Sequence, residues 1–304
     1  MLIRTLIGSL LLATGCQGPA RPAPETDGDA ALAYVRTQLE FGPRIPGTEG
    51  HRRMAAWLDS LLRVRADSVV VQAWDHTAQD GTVLPLRNFI ARFNPGAAER
   101  ILFLAHWDTR PVADGPASRD RKAPVPGAND GASGVAVLLS IADALKRTPP
   151  TIGVDLLFVD GEDYGSFSED HDVLIGSRYY ARNPLPGPKP LFAVLYDMVG
   201  DPEPRYYQEG FSLTAAPEVV DLVWRTAAEM GHGDVFVAEP GISVTDDHIP
   251  LQQAGFRAID VIDFDYGPGN AWWHTPDDTL DKISGASLKI AADVGVAVIR
   301  KQGR

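Results

Sequence analysis

ILFLAHWD (Ile101–Asp108), GASGVAVLLSIADALK (Gly131–Lys146) and VDLLFVDGE (Val154–Glu162) decide the architecture of this chain. The first is a short, continuous apolar run, as a central strand is, and the third looks like a further buried strand. The second carries Val135, Leu138, Leu139, Ala142 and Leu145 at helical spacing. Strand, helix and strand in that order make a crossover unit and a parallel pair.

Working outward, FAVLYDMVG (192–200) and AIDVIDF (258–264) repeat the buried-strand pattern. SVVVQAW (68–74) and NFIARFN (88–94) read as strands, and the DGT between them signals a hairpin-like edge. Apolar spacing predicts helices over 29–41, 49–65, 174–182, 217–230 and 280–300. The expectation is an α/β fold: one domain, a mainly parallel mixed central sheet, and helices on both faces. At 304 residues, with 44% hydrophobic and 22% charged residues, the chain can bury a core of that size. A net charge of −12 argues against a nucleic-acid surface, which needs a basic patch.

The front of the chain is set apart. Arg4, an apolar stretch from Leu6 to Ala13 and small residues before Cys16 have the order of a secretory signal over residues 1–15. LATGC (12–16) resembles a bacterial lipoprotein processing site, so Cys16 is expected to be lipidated and to anchor an exported protein in the cell envelope. The alternative is ordinary signal cleavage nearby, with Cys16 incidental. As the only cysteine, it leaves no internal disulfide. Residues 16–28, rich in Pro, Gly and polar residues, read as a flexible tether ahead of a catalytic domain over 29–304.

Acidic and histidine residues gather at the ends of these runs. AHWDTRP carries His106 and Asp108, GANDGASG carries Asp130, and VDGEDYG carries Glu162 and Asp163. LYDMVGD carries Asp197, TDDHIP carries Asp246, Asp247 and His248, and WWHTPDD carries His274. In an open α/β sheet such strand ends converge on one crevice, and carboxylates with imidazoles suit Zn²⁺. Each residue alone has a bland reading: Asp130 as a helix N-cap, Glu162 as a solvated acid, Trp272 and Trp273 as core. Adjacent Glu162 and Asp163 repel unless a cation sits beside them. One can then bind metal while the other moves protons.

In these motifs, over roughly residues 30–300, the chain resembles the zinc aminopeptidase superfamily and, within it, the bacterial glutaminyl-peptide cyclotransferases. The resemblance implies one catalytic zinc on Asp130, Asp163 and His274. It implies Glu162 as acid/base, Asp197 and Asp246 in a hydrogen-bonded carboxylate network, and Trp273 as a wall of the substrate pocket. The implied reaction turns the N-terminal Gln of peptides or proteins into pyroglutamate and releases ammonia. The aminopeptidase relatives usually carry Glu-Glu where this chain has Glu162-Asp163. They hold a second zinc at positions matching His106 and Asp197, so a two-zinc aminopeptidase stays open as the alternative. A lipid-anchored binding protein without catalysis would lack a ligand or the Glu, and none is missing.

Overall fold

In a computed structural model, which describes residues 25–303, the elements run in chain order as follows. They are α1 (Gly28–Glu40), α2 (Glu49–Arg63), β1 (Ser68–Thr77), β2 (Val83–Phe93), β3 (Arg100–His106) and α3 (Ala132–Arg147). Then come β4 (Gly153–Val159), α4 (Ile175–Arg182), β5 (Ala193–Asp197), β6 (Tyr206–Gln208), α5 (Gly210–Ala215) and α6 (Pro217–Met230). The chain closes with β7 (Phe236–Pro240), α7 (His248–Gln253), β8 (Ala258–Ile262) and α8 (Gly285–Gln302). The expected signal segment and Cys16 lie outside the described residues.

Six strands form one sheet in the order β1-β2-β4-β3-β5-β8, with β4, β3, β5 and β8 parallel and β1 and β2 antiparallel at one edge. The DGT turn does close the hairpin: Gly81 takes φ 88, and Asp80 Oδ1 accepts from Thr82 N at 2.8 Å. Alternation within the apolar runs then sorts side chains between two cores. Ile101, Phe103 and Ala105 of β3 join the helices α1, α2, α3, α6 and α8 on one face. Leu102 and Leu104 face the other side, where Tyr180 of α4 and Leu251 of α7 cover them. The expected mixed, mainly parallel sheet with helices on both faces is the fold.

Several boundaries differ from the sequence reading, β1 and β2 being longer and β5 shorter than their apolar runs. The helix expected over 280–300 starts at Gly285, because Ile283 is extended and Ser284 caps the next turn, leaving a separate 3₁₀ turn at Leu280–Lys282. The strand expected over 154–162 stops at Val159, since Gly161 turns the chain at φ 69. Residues 25–28, placed in the tether, are docked on the domain. Thr26 N and Oγ1 both donate to Asp293 Oδ1, at 2.9 and 2.7 Å, and Asp27 caps α1. No helix among the described residues is long and apolar enough to cross a membrane.

The glycines of GANDGASG set how α3 meets the sheet. A Cβ on Gly134 would lie 2.2 Å from the backbone oxygen of Tyr196 and 2.9 Å from Ala105 Cβ. Contact that close draws the start of α3 against the ends of β3 and β5. Gly134→Ala is expected to destabilise the protein by about 1–3 kcal/mol, the usual cost of overpacking a core. A thermal melt checks this, and an unchanged Tm would mean the helix–strand spacing is slack.

Candidate metal centre

Every sequence-predicted site residue lies at the C-terminal edge of the parallel strands, where ligand crevices form in open α/β sheets. His106 and Asp197 are the last residues of β3 and β5. Glu162 and Asp163 follow β4, Asp130 precedes α3, Asp246 precedes α7, and His274 sits in the loop after β8. All seven are buried.

Asp130 is not the helix cap. Gly131 occupies that position at φ 93 with no side-chain capping bond, which leaves the Asp130 carboxylate free to face the crevice. Its loop is gripped from two sides. Asp278 accepts from Asn129 N at 2.8 Å and Asp130 N at 3.2 Å, while buried Arg44 donates to the Pro126 and Gly127 carbonyls. Asp108 plays the matching part for the acid pair, accepting from Glu162 N at 3.0 Å and Asp163 N at 3.2 Å.

Two clusters result, and they share Asp130. Ligand-type atoms of Asp130, Asp163 and His274 lie within 4.8 Å of one another, as do those of His106, Asp130 and Asp197. His274 Nε2 is 3.3 Å from Asp130 Oδ2 and 3.4 Å from Asp163 Oδ1. Its other ring nitrogen lies 3.0 Å from Asp114 Oδ1, so Asp114 fixes the ring, as a carboxylate behind a metal-ligating imidazole does. Arg110 ties the two layers, donating from Nη1 to Asp163 Oδ1 at 2.8 Å and from Nη2 to Asp114 Oδ2 at 2.5 Å. His274 adopts φ 52, a sparsely populated region for a residue with a Cβ. Asp114, Asp278 and Arg44 have no place in the sequence reading. Their partners are far away in sequence, and nothing local marks them.

The donor set fits a divalent cation on the clusters' own chemistry. Burial, with charge from Asp130, pushes the Asp163 carboxyl up to about 7 even though His274 and Arg110 oppose it. Burial also lifts Glu162 well above the carboxylate range; His106 opposes this, while Asp163, Asp246 and Asp247 add to it. Burial disfavours charge on His106 too, yet Glu162, Asp108, Asp130 and Asp197 together raise its pKa well above the usual imidazole value. Asp163 Oδ2 and His106 Nδ1 are buried with no hydrogen-bond partner among the described residues. A buried site with this surplus of carboxylate and these orphaned atoms is short of positive charge.

Asp197 and Asp246 share the pocket without a hydrogen bond between them. Asp197 Oδ1 lies 3.2 Å from His106 Nε2 and accepts from Met198 N, whereas Asp246 Oδ1 accepts from Asp247 N. Their coupling is electrostatic: burial first, then the charges of Asp197 and Asp247, lift Asp246 well above its ordinary pKa. The pocket over the first cluster has a volume of about 370 Å³. Trp273 walls it, with its ring stacked on His274 at 3.9 Å between centroids and tilted against Phe264. Trp272 lies apart, on Gly267 and Tyr266.

The same architecture is found in known proteins. A crystal structure of glutaminyl cyclase from Porphyromonas gingivalis superposes with TM-score 0.86 at 40% identity, covering 92% of this chain and 100% of that one. A leucine aminopeptidase precursor from Bacteroides thetaiotaomicron gives TM-score 0.87 at 38% identity, with coverages of 92% and 99%. A bovine glutaminyl-peptide cyclotransferase-like protein is 28% identical over 262 residues, 78% of this chain; the match spans 66% of the bovine protein. The model of peptidase family M28 matches residues 88–299, a span that holds β3, β4, β5 and both carboxylate clusters, and the chain belongs to that family.

Proposed function

We propose that this chain is a zinc-dependent glutaminyl-peptide cyclotransferase, converting the N-terminal Gln of peptides and proteins to pyroglutamate with release of ammonia. The observation that carries the reading is Glu162. It is a buried carboxylate beside the cluster of Asp130, Asp163 and His274, in a small pocket walled by Trp273. The glutaminyl cyclases among similar structures and relatives support it.

Asp130, Asp163 and His274 would hold the zinc. When bound, it supplies a Lewis acid for the γ-carboxamide oxygen and a positive charge that favours the ionised form of Glu162. The pocket holds the glutamine side chain folded back on its own α-amine, an orientation effect of the kind that makes intramolecular reactions fast. Glu162 takes a proton as the amine nitrogen bonds to the carboxamide carbon. It returns that proton to the leaving nitrogen as the carbon–nitrogen bond breaks, and ammonia departs. Asp246, whose pKa is raised by burial and by the charges of Asp197 and Asp247, lies in the same pocket and would donate a hydrogen bond in its protonated form. Trp273 keeps the reacting end dry and so disfavours hydrolysis.

The second cluster favours one other reading, a two-zinc aminopeptidase using His106 and Asp197 as well. Parallel assays separate the two. Protein lacking residues 1–16 should release ammonia from Gln-initiated dipeptides and little free amino acid from Leu- or Ala-initiated ones. Efficient cleavage of Leu-peptides would sink the cyclase reading. LATGC (12–16) further supports an exported enzyme held to the envelope by a lipid on Cys16.

A further inference from the structure

We infer that the groove beside the catalytic pocket receives the residues following the N-terminal Gln and selects substrates with cationic side chains there. The inference rests on the cyclase reading for the pocket and adds a substrate class to it. The groove encloses about 1020 Å³ and shares Ile242, Val244, Ile262 and Phe264 with the catalytic pocket. The groove therefore adjoins the pocket across these four side chains, within reach of the residues that follow a Gln bound by Glu162.

The groove has one apolar wall and an acidic floor and rim. Ile242 is 60% exposed and Tyr207 38% exposed, unusual for large apolar side chains with no partner, and Trp272 lies at the same surface. Asp201 and Asp263 form the floor, with Glu203 and Asp265 exposed at the rim and Arg205 the only cationic side chain lining the groove. The floor acids are spent on backbone alone. Asp201 accepts from Glu203 N and Gly267 N, and Asp263 from Arg205 N and Asp265 N. Among the described residues, none of these four carboxylates pairs with a cationic side chain. Burial, with charge from Asp201 and Asp265, lifts the Asp263 carboxyl to about 6, as expected where negative charge lacks a counter-ion. A lysine or arginine in the substrate would supply it. Apolar stems could lie along Ile242 and Tyr207, with the charged ends over the acids.

The test compares Gln-initiated pentapeptides with Lys, Ala or Glu at the third and fourth positions, reading both turnover and equilibrium binding, with Gln-Ala as reference. Relative to the reference, Lys tails should exceed Glu tails by roughly fivefold to tenfold, mostly in KM, as two or more partly screened charge pairs would give. Salt at about 1 M, where the screening length is about 3 Å, should remove most of the gap. The double variant Glu203→Gln/Asp265→Asn should narrow it as well. Equal KM and Kd for all three tails, with Gln-Ala turned over normally, would overturn the groove assignment. Tail-dependent binding with no ammonia from any peptide would uphold the groove and sink the cyclase reading instead.

Discussion

Glu162→Gln should lower glutamine cyclisation by about 10²–10⁴-fold, the usual contribution of a positioned acid/base group, while keeping the fold and the zinc. The amide has the size of the carboxylate, so the buried site suffers no cavity. The backbone N–H of Glu162 stays bonded to Asp108, which fixes the turn whatever the side chain. What is lost is the capacity to take a proton from the amine and pass it to the leaving nitrogen. The change also removes a charge from a crowded set of carboxylates, so a slight gain in thermal stability is compatible with the role. Single-turnover ammonia release and metal analysis of the same preparation check the result. Loss of zinc along with activity would make Glu162 a ligand and Asp163 the proton carrier.

Much of this site was legible before the fold, and the reason is physical. A strand buried on both faces is a largely apolar run, so ILFLAH and VDLLFV announce themselves despite Asp155, which Arg92 and Arg100 neutralise, and the polar residues that follow mark the sheet edge where ligands gather. His106, Asp197, Glu162 and Asp163 lie at or just beyond those strand ends; so does Asp160, which the rule marks first but which is paired with His51 instead. His274 and Asp246 do not follow a strand directly; their segments were picked out with the others, and the motif resemblance gave them their roles. Asp130 shows where local reasoning fails. Its position before a helix favours capping, yet Gly131 adopts a conformation open to glycine and takes the boundary, releasing the carboxylate to the crevice.

What escaped the sequence depends on closure of distant segments. Asp278 reaches the Asp130 backbone across 148 residues, and Asp114 reaches His274 across 160. Such contacts leave no periodicity and no spacing to read. The short strands β6 and β7 and the one-turn helices α5 and α7 were missed for a related reason. With three to six residues each, they are held by tertiary packing and not by propensity. Those same elements build the apolar wall of the substrate groove, through Tyr207 and the loop that follows β7. The catalytic edge is thus written in the strands, while the surface that would discriminate substrates is written in their connections.

The shared position of Asp130 makes metal count a decisive observable. Asp130→Ala removes a donor from both clusters, His274→Ala from one, and His106→Ala from the other. If one zinc is held by Asp130, Asp163 and His274, the wild type binds one ion. Asp130→Ala and His274→Ala should then lose most of it, because each removes one of three protein ligands and leaves buried carboxylate charge without its cation. His106→Ala should keep its zinc under that reading and lose activity less. If two ions are held, the wild type binds two; His274→Ala and His106→Ala each lose one, and Asp130→Ala loses both. Metal analysis after dialysis against a weak chelator distinguishes the patterns without reference to turnover. Circular dichroism confirms that each variant is folded, as the isolated Cβ truncations at the sheet edge leave both cores untouched. Full zinc retention by His274→Ala would refute the ligand assignment outright. Two ions in the wild type would move the balance to the aminopeptidase, since the cyclisation nucleophile is the substrate's own amine and needs no second metal to generate it.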